Sequence, residues 1–249
     1  MKSFQEGARK VWIGTSGWTY DGWRGLFYPK EIPKRLWLPY YATQFATTEI
    51  NASFYRTPTL ETVQAWSENT PHNFTFAWKA SKFITHWKRL SAKSENSIAL
   101  METRLDVLGP KGCLVLFQLP PSFLEDKGRL DAFIHMLPRS RRYAFEFRHR
   151  SWYHDKVVGL LEDNKIALCI SDHGDAPSPW EATAPHVYIR AHGPGGRYHG
   201  SYSAKTLARW AERVAAWRRE RREIFIYFDN DQKAAAPKDA QRLLRLVQD

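Results

Sequence analysis

Short apolar runs that end in a polar or charged residue dominate the pattern of this chain. The clearest is residues 143–148, Tyr-Ala-Phe-Glu-Phe-Arg, in which aromatic residues alternate with small or charged ones. A period of two residues is typical of a β-strand, because successive side chains point to opposite faces. The run predicts a strand with three rings on one face and a carboxylate and a guanidinium on the other. An edge strand with one solvated face is the simpler alternative.

Seven other runs have the same character and predict further strands. They are residues 11–18, 47–55, 74–80, 113–119, 166–172, 187–192 and 223–230. Apolar residues at helical spacing lie between them and predict helices. These are residues 36–45, 60–68, 94–107, 128–137, 155–163, the stripe within 207–217, and 237–247.

Strands that alternate with helices predict right-handed βαβ units and a parallel sheet. Eight such units favour an α/β fold of the (β/α)8 TIM type, as a single domain over residues 1–249 with its core at about 11–248. An open doubly wound sheet is the alternative, but no GxGxxG motif follows the first strand. The segment between strands six and seven is short and contains three prolines, so we expect a short or missing helix there.

The C-terminal ends of barrel strands carry the active site in TIM-type enzymes. Those ends collect carboxylates, cations, amides and a histidine, which we name the strand-end ring. Its members are Glu49, Asn51, Lys79, Gln118, Glu146, Arg148, Asp172, Arg190, His192, Asp229 and Asn230. Buried charges are costly unless they are paired, so a structural ion network is the alternative to a functional site.

The residue types suggest roles within this ring. Carboxylates and histidine can exchange protons, whereas arginine, lysine and amide groups can hold an anion. The catalytic candidates are Glu49, Glu146, Asp172, His192 and Asp229. The substrate-binding candidates are Trp18, Asn51, Tyr55, Lys79, Gln118, Arg148, Arg190 and Asn230. The carboxylates are compatible with a divalent metal but do not require one, and no metal ligand or cofactor is assigned.

Charge and aromatic content widen the range of partners. The net charge is +11 and the chain contains 11 tryptophans. A basic balance is compatible with an anionic small molecule or a nucleic acid. We expect four tryptophans to be exposed for stacking on bases: Trp18, Trp23, Trp87 and Trp152.

Other features bear on the compartment. Cys113 and Cys169 lie in apolar runs, which favours buried, reduced thiols. No segment approaches the roughly 18 apolar residues of a membrane helix. Residues 1–10 have no apolar signal core. We therefore expect a cytoplasmic protein with no membrane partner, and the oligomeric state is left open.

Long motifs place the chain beside a known family. They are Gly14-Thr15-Ser16-Gly17-Trp18, Phe27-Tyr28-Pro29, Tyr40-Tyr41-Ala42, residues 49–56, Thr85-His86, Gln118-Leu119-Pro120-Pro121, residues 146–149, Ser151-Trp152 and residues 227–230. The set resembles the signature blocks of the YecE-like family, a bacterial and archaeal family of unknown function. The resemblance implies a TIM-type barrel and supplies no reaction. Members of this family have been compared with metal-dependent nucleases that repair DNA, and that comparison is an analogy between folds.

Three functions follow as hypotheses. The first is a hydrolase of the phosphodiester type, acting on a phosphate-bearing or nucleic-acid substrate at the strand-end ring. The second is a carbohydrate-active enzyme that uses paired carboxylates. The third is a non-catalytic binding module on a barrel scaffold, which a fully paired ring without a cavity would favour.

Overall fold

A parallel sheet of eight strands forms the centre of the computed structural model, which describes residues 10–248. The strands follow one another around the sheet in the order β1-β8-β7-β6-β5-β4-β3-β2. Their bounds are β1 Val11–Thr15, β2 Thr47–Ile50, β3 Thr75–Lys79, β4 Gly112–Gln118, β5 Tyr143–Glu146, β6 Ala167–Ser171, β7 His186–Ala191 and β8 Glu223–Phe228.

The sheet closes between its first and second strands. Ser16 and Glu49 form an isolated parallel bridge there, and the backbone N–H of Gly17 donates to the carbonyl of Glu49 at 2.8 Å. This contact joins the two ends of the strand order into a nearly closed barrel. The prediction of a TIM-type (β/α)8 fold is confirmed.

Helices cover the outside of the barrel. Their bounds are α1 Trp37–Gln44, α2 Ala52–Tyr55, α3 Leu60–Glu68, α4 Glu95–Leu108, α5 Lys127–Met136, α6 Asp155–Asp163, α7 Ala204–Arg219 and α8 Ala235–Gln248. Between β6 and β7, within the described chain, the connection contains no helix, as its length and prolines predicted.

The second predicted strand was too long. β2 ends at Ile50, and the chain turns into the short helix α2 instead of continuing to Tyr55. The hydroxyl of Ser53 donates to the carbonyls of Ile50 (2.8 Å) and Lys79 (2.6 Å), which holds this turn against the end of β3. A second irregularity follows β3, where Phe83–Trp87 forms a π-helical turn.

Two separate cores result from the alternation along the strands. Inside the barrel, small residues such as Ala77 and Ala144 leave room for the buried rings of Tyr188 and Tyr227. Outside it, aromatic side chains pack between strands and helices. The predicted alternation of residues 143–148 is confirmed, with Phe145 in the outer core and Ala144 in the inner one.

Three of the four tryptophans expected at the surface are buried. Trp18 is 8% exposed, and Trp23 and Trp152 are each 1% exposed, whereas Trp87 is 65% exposed. The ring of Trp152 stacks on Phe147 at 4.6 Å and donates its N–H to a carbonyl at 2.7 Å. A buried indole is stable when its N–H has such a partner, so these rings fill the space between loops and helices.

Both cysteines are buried and free, as expected. In the described part of the chain no helix is long and apolar enough to cross a membrane. The expectation that no export signal is present concerns residues 1–10, of which 1–9 lie outside the described residues.

A substitution at Gly14 tests the close contact between β1 and β2 that closes the barrel. A Cβ atom at this position would lie 2.2 Å from the carbonyl oxygen of Thr47 and 2.9 Å from the hydroxyl of Tyr41. Since the first of these atoms is backbone, β1 and β2 would have to separate. We expect Gly14→Ala to lower the free energy of unfolding by about 3 kcal/mol, at the upper end of overpacking costs, measured by urea denaturation.

Gly159 provides the matched control, because it lies in the interior of α6 with no heavy atom near the added Cβ. Gly159→Ala should raise the free energy of unfolding by about 0.5–1 kcal/mol through helix propensity. Equal effects of the two substitutions would contradict the proposed closure at Gly14.

Candidate functional site

Arg190 lies at the centre of the barrel mouth and is completely buried. Its Nε and Nη2 donate to the two carboxylate oxygens of Glu49 at 3.0 and 2.9 Å. Nη1 donates to Glu146 at 2.9 Å, and Nη2 donates to Asp229 at 2.8 Å. One guanidinium from β7 therefore joins three carboxylates that come from β2, β5 and the end of β8.

Glu49 is held by more than this ion pair. The hydroxyl of Tyr188 donates to its Oε2 at 2.6 Å, and the hydroxyl of Ser16 donates to its Oε1. Burial alone would raise the pKa of Glu49, but the charges of Arg190 and Lys79 outweigh burial and lower it. The side chain is therefore an ionised, fully hydrogen-bonded carboxylate at neutral pH.

Arg148 extends the network from β5. Its Nε lies 2.6 Å from Oε1 of Glu146, an ion-pair contact without hydrogen-bond alignment. Its Nη1 donates to the hydroxyl of Tyr198 at 3.0 Å. Burial would raise the pKa of Glu146, but Arg148 and then Arg190 hold it well below its usual range.

The tautomer of His192 follows from its neighbours. Its Nε2 lies 3.0 Å from Nη2 of Arg148 and 3.1 Å from Nη1 of Arg190. Guanidinium nitrogens only donate, so Nε2 must accept, and a neutral ring carries its proton on Nδ1. Nδ1 lies 3.3 Å from Asp172, which also accepts the backbone N–H of His192 at 2.7 Å and the hydroxyl of Tyr202.

Lys79 differs from the two arginines. It ends β3 and is 6% exposed, and no carboxylate of the described residues lies within 4.0 Å of its Nζ. Its Nζ donates to Oδ1 of Asn51 at 3.2 Å and lies 4.5 Å from the ring centre of Phe54. Burial lowers the pKa of Lys79 to about 8, and Arg190 adds to this shift.

The pKa of His86 reflects the charged groups on this side of the mouth. Its ring packs edge-on against Phe54 at 5.0 Å. Burial, followed by the positive charges of Lys79 and Arg148, lowers the pKa of His86 to about 4. Lys82 and Arg89 act in the same direction, so His86 is neutral at physiological pH and its surroundings are cationic.

Exposed aromatic rings surround the mouth. Tyr55, Trp87 and Tyr198 are 68%, 65% and 37% exposed, and they follow β2, β3 and β7. The Nζ of Lys82 lies 5.8 Å from the ring centre of Tyr55 and 5.2 Å from that of Trp87. We name Tyr55, Trp87, Tyr198 and Lys82 the aromatic rim. Lys82 lies beside Tyr55 and Trp87, and Tyr198 accepts a hydrogen bond from Arg148.

Two cavities open beside Tyr55. The larger has a volume of about 300 Å3 and is lined by Gly17, Trp18, Thr19, Tyr20, Asn51, Ala52, Tyr55 and Trp66. The smaller has a volume of about 220 Å3 and is lined by Phe54, Tyr55, Thr57, Ser81, Lys82, Phe83, Trp87, Ser97 and Leu100. The cationic side of the mouth therefore offers space for a ligand.

A third cavity, of about 560 Å3, is larger than either but lies at the opposite end of the barrel, where the strands begin. Arg142 and Glu223, which lie in its wall, form an ion pair. Residues at the N-terminal face of such barrels generally serve stability, so we do not place the site there.

The structure brings most of the strand-end ring together. Glu49, Glu146, Asp229, Arg148, Arg190 and His192 share one network, and Asp172 joins it through His192. Lys79 and Asn51 form the adjoining cationic side. Gln118 is half-buried and lies beside Glu146 in the sheet register.

Three candidates are placed differently. Asn230 is apart from the ring, because its side chain donates to the carbonyl of Gly200 (2.7 Å) and to Asp239 in α8 (3.0 Å). Trp18 is buried and contributes to the wall of the larger cavity. Tyr55 is exposed on the aromatic rim.

Sequence reasoning missed several hydroxyl groups in the network. Tyr188 precedes Arg190 by two residues and so shares its face of β7, a signal that strand periodicity could have given. Ser16 follows β1 directly and was also accessible to this reasoning. Tyr198 and Tyr202 come from the long loop after β7, and nothing in the local pattern points to them.

The donor set does not favour a metal held by the ring. In residues 10–248 no group of three or more His, Cys, Asp or Glu side chains is arranged to hold an ion. The reason is visible at the centre, where the guanidinium of Arg190 lies between the carboxylates of Glu49, Glu146 and Asp229. This cation already fills the position between the negative charges.

A substitution at Arg190 tests how much the buried ion network contributes to stability. Arg190→Met would leave three buried carboxylates without their counter-ion, and removal of one partner of a buried ion pair costs about 3–5 kcal/mol. We expect a loss of this size in urea denaturation at neutral pH. Arg209→Met is the control, since Arg209 is exposed on α7, and its effect should stay within about 0.5 kcal/mol.

The pH dependence gives a second measurement on the same variant. Carboxylates with lowered pKa stabilise the native state above their unfolded pKa of about 4.3, and this contribution is lost as pH falls. Protonation neutralises the carboxylates that Arg190→Met leaves unpaired. The difference in free energy of unfolding between the wild type and Arg190→Met, the deficit of the variant, should therefore decrease as pH falls towards about 4. A deficit independent of pH would contradict the ion-pair explanation.

Known proteins are similar to this chain in sequence and in fold. A family described as "Protein of unknown function DUF72" matches residues 12–249. The UPF0759 protein YunF of Bacillus subtilis is 24% identical over 95% of this chain and 94% of its own length. The UPF0759 protein YecE of Escherichia coli is 24% identical over 83% of this chain and 82% of its own.

Solved structures agree with these relatives. A DUF72 family protein from Thermotoga maritima is 25% identical, with a TM-score of 0.85 over 96% of this chain and 100% of that chain. A DUF72 family protein from Enterococcus faecalis is 22% identical, with a TM-score of 0.83 over 96% and 95%, and shows the fold alone. The resemblance to YecE-like proteins is confirmed, and this chain belongs to the DUF72 family of proteins of unknown function.

Proposed function

We propose that the barrel mouth binds a phosphate-bearing substrate of the nucleotide or nucleic-acid class, and that the reaction is hydrolysis of a phosphate ester. One observation carries the proposal. The exposed aromatic residues of the described chain, Tyr55, Trp87 and Tyr198, all lie in the connections that follow the C-terminal ends of strands, beside cations.

Charge supports an anionic ligand at this position. No carboxylate of the described residues lies within 4.0 Å of the cationic groups of Lys79, Lys82 or Arg89. The lowered pKa of His86, caused first by burial and then by these charges and Arg148, reports a net positive field. A phosphate would neutralise this field, since lysine and arginine are its usual partners.

The rings support a ligand that also carries a flat aromatic group. Bases stack on exposed aromatic side chains next to basic residues, and this contact contributes about 1–3 kcal/mol per base. Trp87 and Tyr55 both line the smaller cavity, and Nζ of Lys82 lies within 6 Å of both ring centres, at 5.2 and 5.8 Å. A base between these rings would place its phosphate near the cations.

Hydrolysis requires a group that exchanges protons. Glu49, Glu146 and Asp229 are held by Arg190, which leaves them little freedom to act on a substrate. His192 is engaged through Nε2 by Arg148 and Arg190 and through Nδ1 by Asp172. Lys79 is the candidate that remains, because its pKa of about 8 lets it give up a proton near neutral pH.

The same geometry counts against the carbohydrate hypothesis. Glycoside hydrolysis uses two carboxyl groups on opposite sides of the sugar with space between them. Here Glu49 and Glu146 bind the same guanidinium, and both are completely buried.

A non-catalytic binding module is the second candidate. The closed network around Arg190 favours it, because most charges of the strand-end ring are paired with one another. The unpaired Lys79 and the two cavities favour a substrate site instead. A measurement of substrate hydrolysis distinguishes these two candidates, because only the enzyme would turn the substrate over.

The first prediction concerns binding. Fluorescently labelled oligo(dT) should bind with an affinity that falls steeply with salt, as counterion release requires. Trp87→Ala should weaken binding by about 1–3 kcal/mol, or roughly 5- to 150-fold, through the lost stacking contact. Leu246→Ala, an exposed apolar position on α8, is the control and should bind as the wild type does. Salt-independent binding would count against the proposal.

The second prediction concerns turnover. Hydrolysis of a phosphodiester reporter, bis(4-nitrophenyl) phosphate, should be lost in Lys79→Arg, which keeps the positive charge but does not release a proton near neutral pH. Lys82→Arg should retain activity, because Lys82 contributes only charge to the aromatic rim. Tight oligonucleotide binding without turnover in the wild type would favour the binding module.

A further inference from the structure

Lys79 is the buried lysine of the described chain, since every other lysine between residues 10 and 248 is at least partly exposed. Buried lysines and arginines are rare unless they are paired with a carboxylate. Arg190 and Arg148 follow this rule, with carboxylate contacts of 2.9 and 2.6 Å. Lys79 departs from it, because its polar contact is a neutral amide.

We propose that Lys79 forms a covalent imine with the carbonyl carbon of an anionic aldehyde or ketone held at the barrel mouth. The inference goes beyond the proposed function and shares with it only the anionic character of the ligand. It assigns the substrate a chemical class, a carbonyl compound that carries a phosphate or carboxylate.

The surroundings of Lys79 favour a reactive amine over a structural cation. A structural role would be best served by a carboxylate that holds the proton on Nζ. Instead Nζ donates to Oδ1 of Asn51 at 3.2 Å and lies over the ring of Phe54 at 4.5 Å. The amide can also hold the neutral amine, so these contacts position Nζ without fixing its charge.

Space for a carbonyl compound lies next to this group. Asn51 lines the cavity of about 300 Å3, and Phe54 lines the cavity of about 220 Å3. Lys82, in the wall of the smaller cavity, supplies a cation for the anionic part of the substrate. The two residues that touch Nζ therefore also border the candidate binding space.

Proton equilibria allow the first step. With a pKa of about 8, roughly a tenth of the Lys79 side chains carry a neutral amine at neutral pH. An exposed lysine, with a pKa of about 10.4, does so for less than about a thousandth of the time. Burial and the charge of Arg190 are the causes of this difference.

The chemistry balances without an oxidant or reductant. The amine lone pair attacks the carbonyl carbon, a C–N bond forms, and the π electrons move to oxygen. The proton released by nitrogen passes to that oxygen and gives a carbinolamine. The hydroxyl group then takes a proton from solvent and leaves as water, and the nitrogen lone pair forms the C=N bond of an iminium.

Two sources share the required chemistry. A 2-oxo acid supplies a ketone beside a carboxylate, and an open-chain sugar phosphate supplies an aldehyde and a phosphate. We would incubate the full chain with pyruvate or with glyceraldehyde 3-phosphate near about pH 8, the pKa of Lys79, and add sodium borohydride. The reagent reduces the imine to a stable secondary amine, which intact mass and peptide mapping detect.

We expect one adduct per chain, located at Lys79 by peptide mapping of the wild type. Its yield should rise with pH and reach half of its maximum near about pH 8. Lys79→Arg should lose the adduct, and Lys156→Arg, at an exposed position on α6, should retain it. The mapping of the wild type keeps the test decisive even if Lys79→Arg folds poorly.

Absence of an adduct with both compounds would overturn the inference. Adducts spread over the exposed lysines, or a yield that rises only near about pH 10, would also overturn it. Oligonucleotide binding measured on the same preparation separates this inference from the proposed function. Binding without an adduct rejects the imine and leaves the nucleic-acid proposal intact, and an adduct without binding does the reverse.

Discussion

The pairing of Arg190 with three buried carboxylates is the interaction on which the barrel mouth depends. Charges removed from water are costly unless opposite charges and hydrogen bonds replace the solvent. Arg190 meets this condition for Glu49, Glu146 and Asp229 through its planar fork of donors. Since these partners come from different strands, the ion network also fixes how the strand ends lie relative to one another.

This network divides the mouth into two unlike parts. On one side the carboxylates are occupied, so the ionised oxygens face protein donors and not a ligand. On the other side, within residues 10–248, Lys79 and Lys82 have no carboxylate within 4.0 Å, and Lys82 lies in the wall of the smaller cavity beside the rings of Tyr55 and Trp87. The chemistry available to a ligand is therefore that of cations and aromatic faces, although the strand-end ring as a whole contains more acidic than basic candidates for catalysis.

Much of the fold could be predicted because the strands and helices have clear periods. Residues 52–55 were misassigned, since Phe54 and Tyr55 continue the apolar pattern of β2 and only the contacts of Ser53 show the turn. The burial of Trp23 and Trp152 was equally hidden, because it depends on how loops fold back onto helices. Local sequence does not contain that information.

The candidate site was predictable in position but not in pairing. The rule for strand ends placed Arg190 and Glu146 at the mouth correctly, whereas side-chain reach decided that one arginine would bind three carboxylates. Asn230 shows a correctable error. It directly follows Asp229, and adjacent residues of an extended chain face opposite ways, so both could not enter the ring.

The same constraint links stability to reactivity. Lys79 lies near Glu49 and Asp229, whose charges act to raise its pKa, but burial and the repulsion from Arg190 outweigh them. The guanidinium also takes the closest contacts with those carboxylates, which leaves Nζ to an amide. A barrel that stabilises its centre with one arginine thus leaves a neighbouring lysine without a counter-ion. The lowered pKa of Lys79 follows first from its burial and then from the nearby charge of Arg190.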